Sequence, residues 1–120
     1  MGAMTTVPVP REVFRLLAVK SYQLRKERIR CVYPKHRDYL VTATERIEQI
    51  VNNHSRVADK TLMVTTEFLH DLRNHFHSLH SMLKSFPVSP PKDKAWMFLL
   101  CNQAMKILDE HLQLDLFKQP

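Results

Sequence analysis

An all-α fold, a four-helix up-down-up-down antiparallel bundle with a long third helix, is what this sequence predicts, and three observations predict it. Glycine occurs once in 120 residues, at Gly2, which removes the residue that tight hairpins, phosphate-cradling loops and dinucleotide folds depend on. Leu, Lys, Arg, Glu, Gln and Met dominate, and all favour helix. Leu62, Thr65, Leu69, Leu72, Phe76, Leu79, Leu83 and Phe86 recur at alternating steps of three and four, the signature of one apolar helix face.

The length fits a single domain with one core, placed at residues 11–117 between a 1–10 lead-in and a 118–120 tail. Met1-Gly2-Ala3-Met4 resembles a protease-cleavage scar joined to a native segment, although Gly2 with Thr6 also meets the loose myristoylation pattern. On the first reading the chain is a piece of a longer protein. Thr5 to Pro10 is expected to be extended, with Pro10 near the first turn of a helix and Glu12 at that helix's positive end. The first helix is expected to run to about Tyr33, burying Val13, Leu17, Leu24 and Cys31. Pro34 breaks it.

A second helix, from about His36 to Asn53, presents Leu40, Ala43, Ile47, Ile50 and Val51 inward. Asn52-Asn53-His54-Ser55 then combines C-terminal and N-capping residues. The third helix is expected from about Val57 to Phe86, roughly 30 residues and about 45 Å. Pro87-Val88-Ser89-Pro90-Pro91 is a loop, with Ser89 as N-cap and Pro90 as first residue of a fourth helix from about Lys92 to Phe117. The short connections favour antiparallel neighbours. No internal repeat is visible.

The fourth helix carries more apolar surface than one core contact needs. Trp96, Leu100, Ala104, Ile107, His111 and Leu114 form one stripe, and Met97, Cys101, Met105, Leu108 and Leu112 a second beside it; with Phe98 and Leu116 the arc reaches about 200°. One reading buries both stripes between two neighbours. The other opens the second stripe as a partner or homodimer surface, because Met adapts to a docked apolar ligand.

Nine of the eighteen Lys and Arg lie between Arg11 and Arg37, opposed there only by Glu12 and Glu27. Arg11, Arg15, Tyr22, Lys26, Arg30 and Tyr33 share the side of the first helix opposite its apolar stripe. Cations interleaved with aromatics suit an acidic protein segment or a nucleic-acid backbone, and equally a solvated helix face.

Catalytic chemistry has little to draw on. Cys31 and Cys101 lack zinc-ligand spacing. His70, His75, His77 and His80 sit on the third helix without the i, i+4 pair of a helical metal site, and Glu67 and Asp71 suit a polar face. No metal or cofactor is expected. No apolar run of membrane-spanning length or signal peptide opens the chain, so a nuclear or cytoplasmic, intracellular protein is expected. The functional expectation is a non-catalytic scaffold or adaptor module binding a short amphipathic or acidic segment or itself; the alternative is a nucleic-acid-binding module using the first helix.

Overall fold

The computed structural model describes residues 5–118, with side chains through residue 113. The expected scar at 1–4, residues 119–120 of the expected 118–120 tail and the side chains of Leu114 and Leu116 lie outside the described residues, while Lys118 closes the last helix. The elements run β1 (Thr6–Pro10), α1 (Arg11–Lys26), a 3-10 turn (Glu27–Arg30), α2 (Pro34–Ser55), β2 (Thr61–Thr65), α3 (Thr66–Leu83) and α4 (Asp93–Lys118).

The molecule is mostly helical, but it is not the expected four-helix bundle. A two-stranded antiparallel sheet pairs β1 with β2, in register Thr6↔Thr65 through Pro10↔Thr61. The supposed lead-in is therefore half of a sheet: Val7 and Val9 alternate inward into the core, and Pro8 and Pro10 are tolerated because each strand has only one partner.

The third helix is not long either. Its expected first turns are β2, where Thr61, Val64 and Thr65 favour a pleated chain, Met63 points out and Val64 in. The Thr65 hydroxyl then accepts from Phe68 N at 3.1 Å and starts α3 as an N-cap. Leu62 and Thr65 match the helical spacing by coincidence, since three-residue steps do not distinguish a strand end from a first turn. α1 is likewise shorter than expected, ending in the 3-10 turn. Pro34 begins α2 at its first position instead of merely breaking a helix. Ser89 and Pro90, joined by a cis peptide, lie in a turn before α4 begins at Asp93.

The parts form two copies of one unit. Strand, helix, helix over β1-α1-α2 is repeated over β2-α3-α4. Laying Thr6–Pro10 on Thr61–Thr65 and the start of α1 on that of α3 shifts residue n to n+55, and buried Val9, Phe14, Leu17, Ser21 and Leu24 correspond under that shift to buried Val64, Leu69, Leu72, Phe76 and Leu79. Two extra residues in the second connection move the shift to 57, so that Leu40, Thr44, Ile47 and Val51 of α2 match Met97, Cys101, Ala104 and Leu108 of α4. The isolated bridge Cys31↔Val88 joins equivalent positions under the same shift. A pseudo-two-fold axis thus runs between the sheet at one pole and that bridge at the other, and the expectation of no repeat is corrected. Of the ten equivalent pairs just named, only Val9/Val64, Leu17/Leu72 and Leu24/Leu79 keep the same side chain, so the repeat lives in the burial pattern.

Candidate interaction surface

The stripe expected to await a partner lies in the core. Met97, Cys101 and Leu108 are fully buried, Met105 is 8% exposed and Leu112 is half-buried against the core. α4 buries a single arc that also takes Leu100 and Ala104 from the other stripe. A homodimer through Met97, Cys101, Met105, Leu108 and Leu112 would require opening the core, which corrects that expectation.

The apolar surface left open is elsewhere. α1 and α4 run antiparallel side by side, fixed by Lys20 Nζ donating to Gln103 Oε1 at 2.7 Å midway and by Arg30 to Asp93 at 3.1 Å at one end. On the outer side of that seam, helical spacing places Leu16 and Val19 on α1 and Trp96 and Leu99 on α4. Their exposures are 43%, 50%, 40% and 45%. Neither Leu16, Val19 nor Leu99 belongs to any stripe drawn from the sequence; lying off the core arc was the available signal.

The pseudo-symmetry supplies an internal reference. On the α2–α3 side, the positions equivalent to Leu16, Val19 and Tyr22 are Asp71, Asn74 and His77, and those equivalent to Trp96 and Leu99 are Tyr39 and Thr42. That side holds a cleft of about 350 Å³ lined by Tyr39, Thr42, Ala43, Arg46, His75 and Ser78, four of which bring polar groups besides the Tyr39 hydroxyl. The same backbone site is therefore apolar on one side and polar on the other.

The basic residues do not form the single helix stripe expected. Arg11 holds the α2–β2 connection, Nη1 donating to Val57 O at 2.9 Å and Ala58 O at 3.2 Å. Arg15 pairs with Glu12 at 2.6 Å, and Arg30 with Asp93 and, at 3.6 Å, Glu27. Tyr22 is exposed, flanked by Arg25 and Lys26 at 5.3 and 5.6 Å from its ring. Tyr33 sits apart in the loop before α2, edge-on to His36.

What the fold gathers instead is a basic pole. The bonds Ser89 N to Arg30 O and Val32 N to Pro87 O join the α1–α2 and α3–α4 connections. Residues 26–38 bring Lys26, Arg28, Arg30, Lys35 and Arg37; residues 84–94 add Lys84, Lys92 and Lys94. Only Glu27, Asp38 and Asp93 oppose them, so the pole carries +5 of the formal +6. Ile29 stands in it 71% exposed, where its counterpart Phe86 is buried beneath the His36 ring at 4.1 Å.

Reactive groups are quiet. Burial pushes the Cys101 thiol up to about 12 and raises that of Cys31, with Arg37 partly opposing and Glu27 adding, so neither is a ready thiolate. Among the described residues no three metal-ligating side chains converge. His54, expected as part of a capping segment, stacks on Phe68 at 4.4 Å and lies 5.1 Å from Phe14. His80 lies 4.8 Å from Phe98, and burial, Lys84 and His77 lower its pKa; burial also lowers that of His111, against Glu110.

Among the described residues, fold and surface together define a duplicated strand–helix–helix unit with an apolar outer face and a basic pole. No family model, curated protein or solved structure matches the chain. No helix among the described residues is long and apolar enough to cross a membrane.

Proposed function

We propose that this chain is a non-catalytic protein-interaction module, an adaptor-type part of a larger intracellular protein, that holds its partner on the outer α1–α4 face. The observation that carries the reading is the asymmetry between the two equivalent faces. Scattered exposed apolar side chains are ordinary, but here four gather at one site whose twin shows that the fold tolerates polar residues there. Apolar side chains grouped beside a seam between helices suit a helix or strand laid along it.

Capture with the chain as bait tests this. Leu16→Asp with Leu99→Asp should lose bound proteins that wild type retains, while Asn74→Asp with Thr42→Asp, on the polar face, should keep them. Both double variants should melt close to wild type, since neither touches the core. Identical sets of bound proteins from all three baits would sink the reading.

The basic pole favours a second reading, a nucleic-acid contact. It predicts affinity for duplex or single-stranded oligonucleotides that falls by orders of magnitude between low and moderate salt. Salt-independent or absent binding would dismiss it.

A further inference from the structure

We infer that the partner is an amphipathic helix, about three turns of it in contact, whose apolar side covers Leu16, Val19, Trp96 and Leu99 and whose acidic end lies over the basic pole. This rests on the α1–α4 face being the contact surface, and it adds the partner's chemistry and direction.

The apolar face runs directly into the charge. Val19 is followed two turns on by Lys26 on the same side of α1, and Lys92 precedes Trp96 at the start of α4. Because α1 and α4 are antiparallel, both cations stand at one end of the strip. From Leu16 to Lys26 the strip is about 15 Å long, the rise of about ten helical residues.

Affinity arithmetic makes the charge necessary. Each of the four side chains is already half covered, so completing its burial contributes on the order of 1 kcal/mol. Association costs at least about 4 kcal/mol in lost freedom, so four such contacts alone leave almost nothing. A partner carboxylate over Lys26 or Lys92 adds attraction and fixes which way the helix lies.

The same charge decides between occupants. A second copy of this chain would bring a further +6, and beside this seam Glu12 is already engaged by Arg15. A nucleic acid would match the pole, but Leu16, Val19 and Leu99 offer aliphatic surface, and the strip has a single flat ring, Trp96, where successive bases need several to stack on. An acidic amphipathic helix answers both the apolar strip and the +5 pole.

The test uses fluorescence anisotropy on the whole chain with three labelled probes. One is a helical peptide of about 16 residues, leucine at helical spacing on one side and glutamate grouped towards one end. The second replaces every glutamate by lysine, and the third is duplex DNA. The glutamate peptide should bind at least tenfold tighter than the lysine peptide. Lys26→Glu with Arg28→Glu should weaken it about tenfold, a change of about 1.4 kcal/mol, Leu16→Asp with Leu99→Asp should abolish it, and Asn74→Asp with Thr42→Asp should leave it unchanged.

Equal binding of the two peptides, both lost with Leu16→Asp and Leu99→Asp, would overturn the acidic partner and leave the α1–α4 face standing. Binding of either peptide that ignores those two substitutions would overturn both conclusions. DNA that displaces the glutamate peptide and depends on Lys26 but not Leu99 would overturn the inference in favour of a polyanion. Absence of any peptide binding up to about 1 mM would also overturn it.

Discussion

The α1–α4 and α2–α3 faces occupy equivalent places about one pseudo-two-fold axis, and almost everything that separates them is side-chain chemistry. On the first, Leu16, Val19, Trp96 and Leu99 stand half-exposed. On the second, Asp71, Asn74, Tyr39 and Thr42 hold the matching positions. Stability gives no reason for that difference, because an exposed helix position tolerates either kind of residue at a cost of a few tenths of a kcal/mol. A duplicated fold therefore separates what the backbone needs from what one surface is for: shared features belong to the fold, and those confined to one half point elsewhere.

The largest effect distinguishes surface from core on α4 itself. Met105→Asp places an unpaired charge at a position only 8% exposed, among Leu108, Cys101 and Met97, and should unfold the chain, seen as loss of the cooperative far-UV melt. Leu99→Asp should stay within about 0.5 kcal/mol of wild type by urea denaturation. A folded, stable Met105→Asp protein would mean that α4 opens its inner stripe after all, and the comparison of faces would collapse.

A second comparison lies inside the core. Ser21 and Phe76 are equivalent and both fully buried, yet Ser21 donates its hydroxyl to Thr44 O at 2.8 Å whereas Phe76 fills space with a ring. Ser21→Ala should cost about 1 kcal/mol, the net value of one buried hydrogen bond. Phe76→Ala should cost about 3–5 kcal/mol through lost burial and cavity. Equal losses would show that the two halves do not share the proposed equivalence.

Exchanging the faces sharpens the functional side of the argument with little change in stability. Asp71→Leu, Asn74→Val and Thr42→Leu, made together, copy the apolar strip onto α2–α3. The melting temperature should shift by no more than a few degrees, and the acidic peptide should then titrate towards two sites per chain. Binding that stays at one site would show that Lys26, whose equivalent beside the copy is Ser81, matters more than the apolar strip.

How far the sequence revealed all this follows from the same division. The interior faces were legible wherever a helix had one partner side: Leu69, Leu72, Phe76, Leu79 and Leu83 are buried as their spacing requires. The sheet was not, because Pro8 and Pro10 argue against a strand until a partner is known, and Leu62 to Thr65 fits helix and strand spacing alike. The α4 surface was misjudged because a helix packed against both α3 and α1 buries a wide arc, and a wheel cannot show which edge the neighbours cover. Most of the pole's charge was visible in residues 11–37, but its second contribution, Lys84, Lys92 and Lys94, arrives only through the Cys31–Val88 bridge. The duplication was hidden because it conserves burial and lets residue types drift.

The smallest expected effect separates the two halves by pH. His80 occupies the position equivalent to Arg25, whose guanidinium is ion-paired with Glu48. Burial, helped by Lys84 and His77, lowers the His80 pKa, and burial lowers that of His111. A histidine whose pKa is lower folded than unfolded binds fewer protons in the native state, so its stabilisation is fully present above the unfolded value near 6.5 and is lost as pH falls through the folded one. The melting temperature should therefore be lower at pH 5.5 than at pH 7.5 by at most a few degrees, since His80 keeps much of its contact with water. His80→Phe and His111→Phe together should flatten that dependence, whereas Glu48→Gln should lower stability at both pH values alike. An unchanged melting temperature in wild type would remove the histidines from the account. A dependence that survives both substitutions would move it to groups other than His80 and His111, and the contrast between ion-paired Arg25 and proton-sensitive His80 would fail.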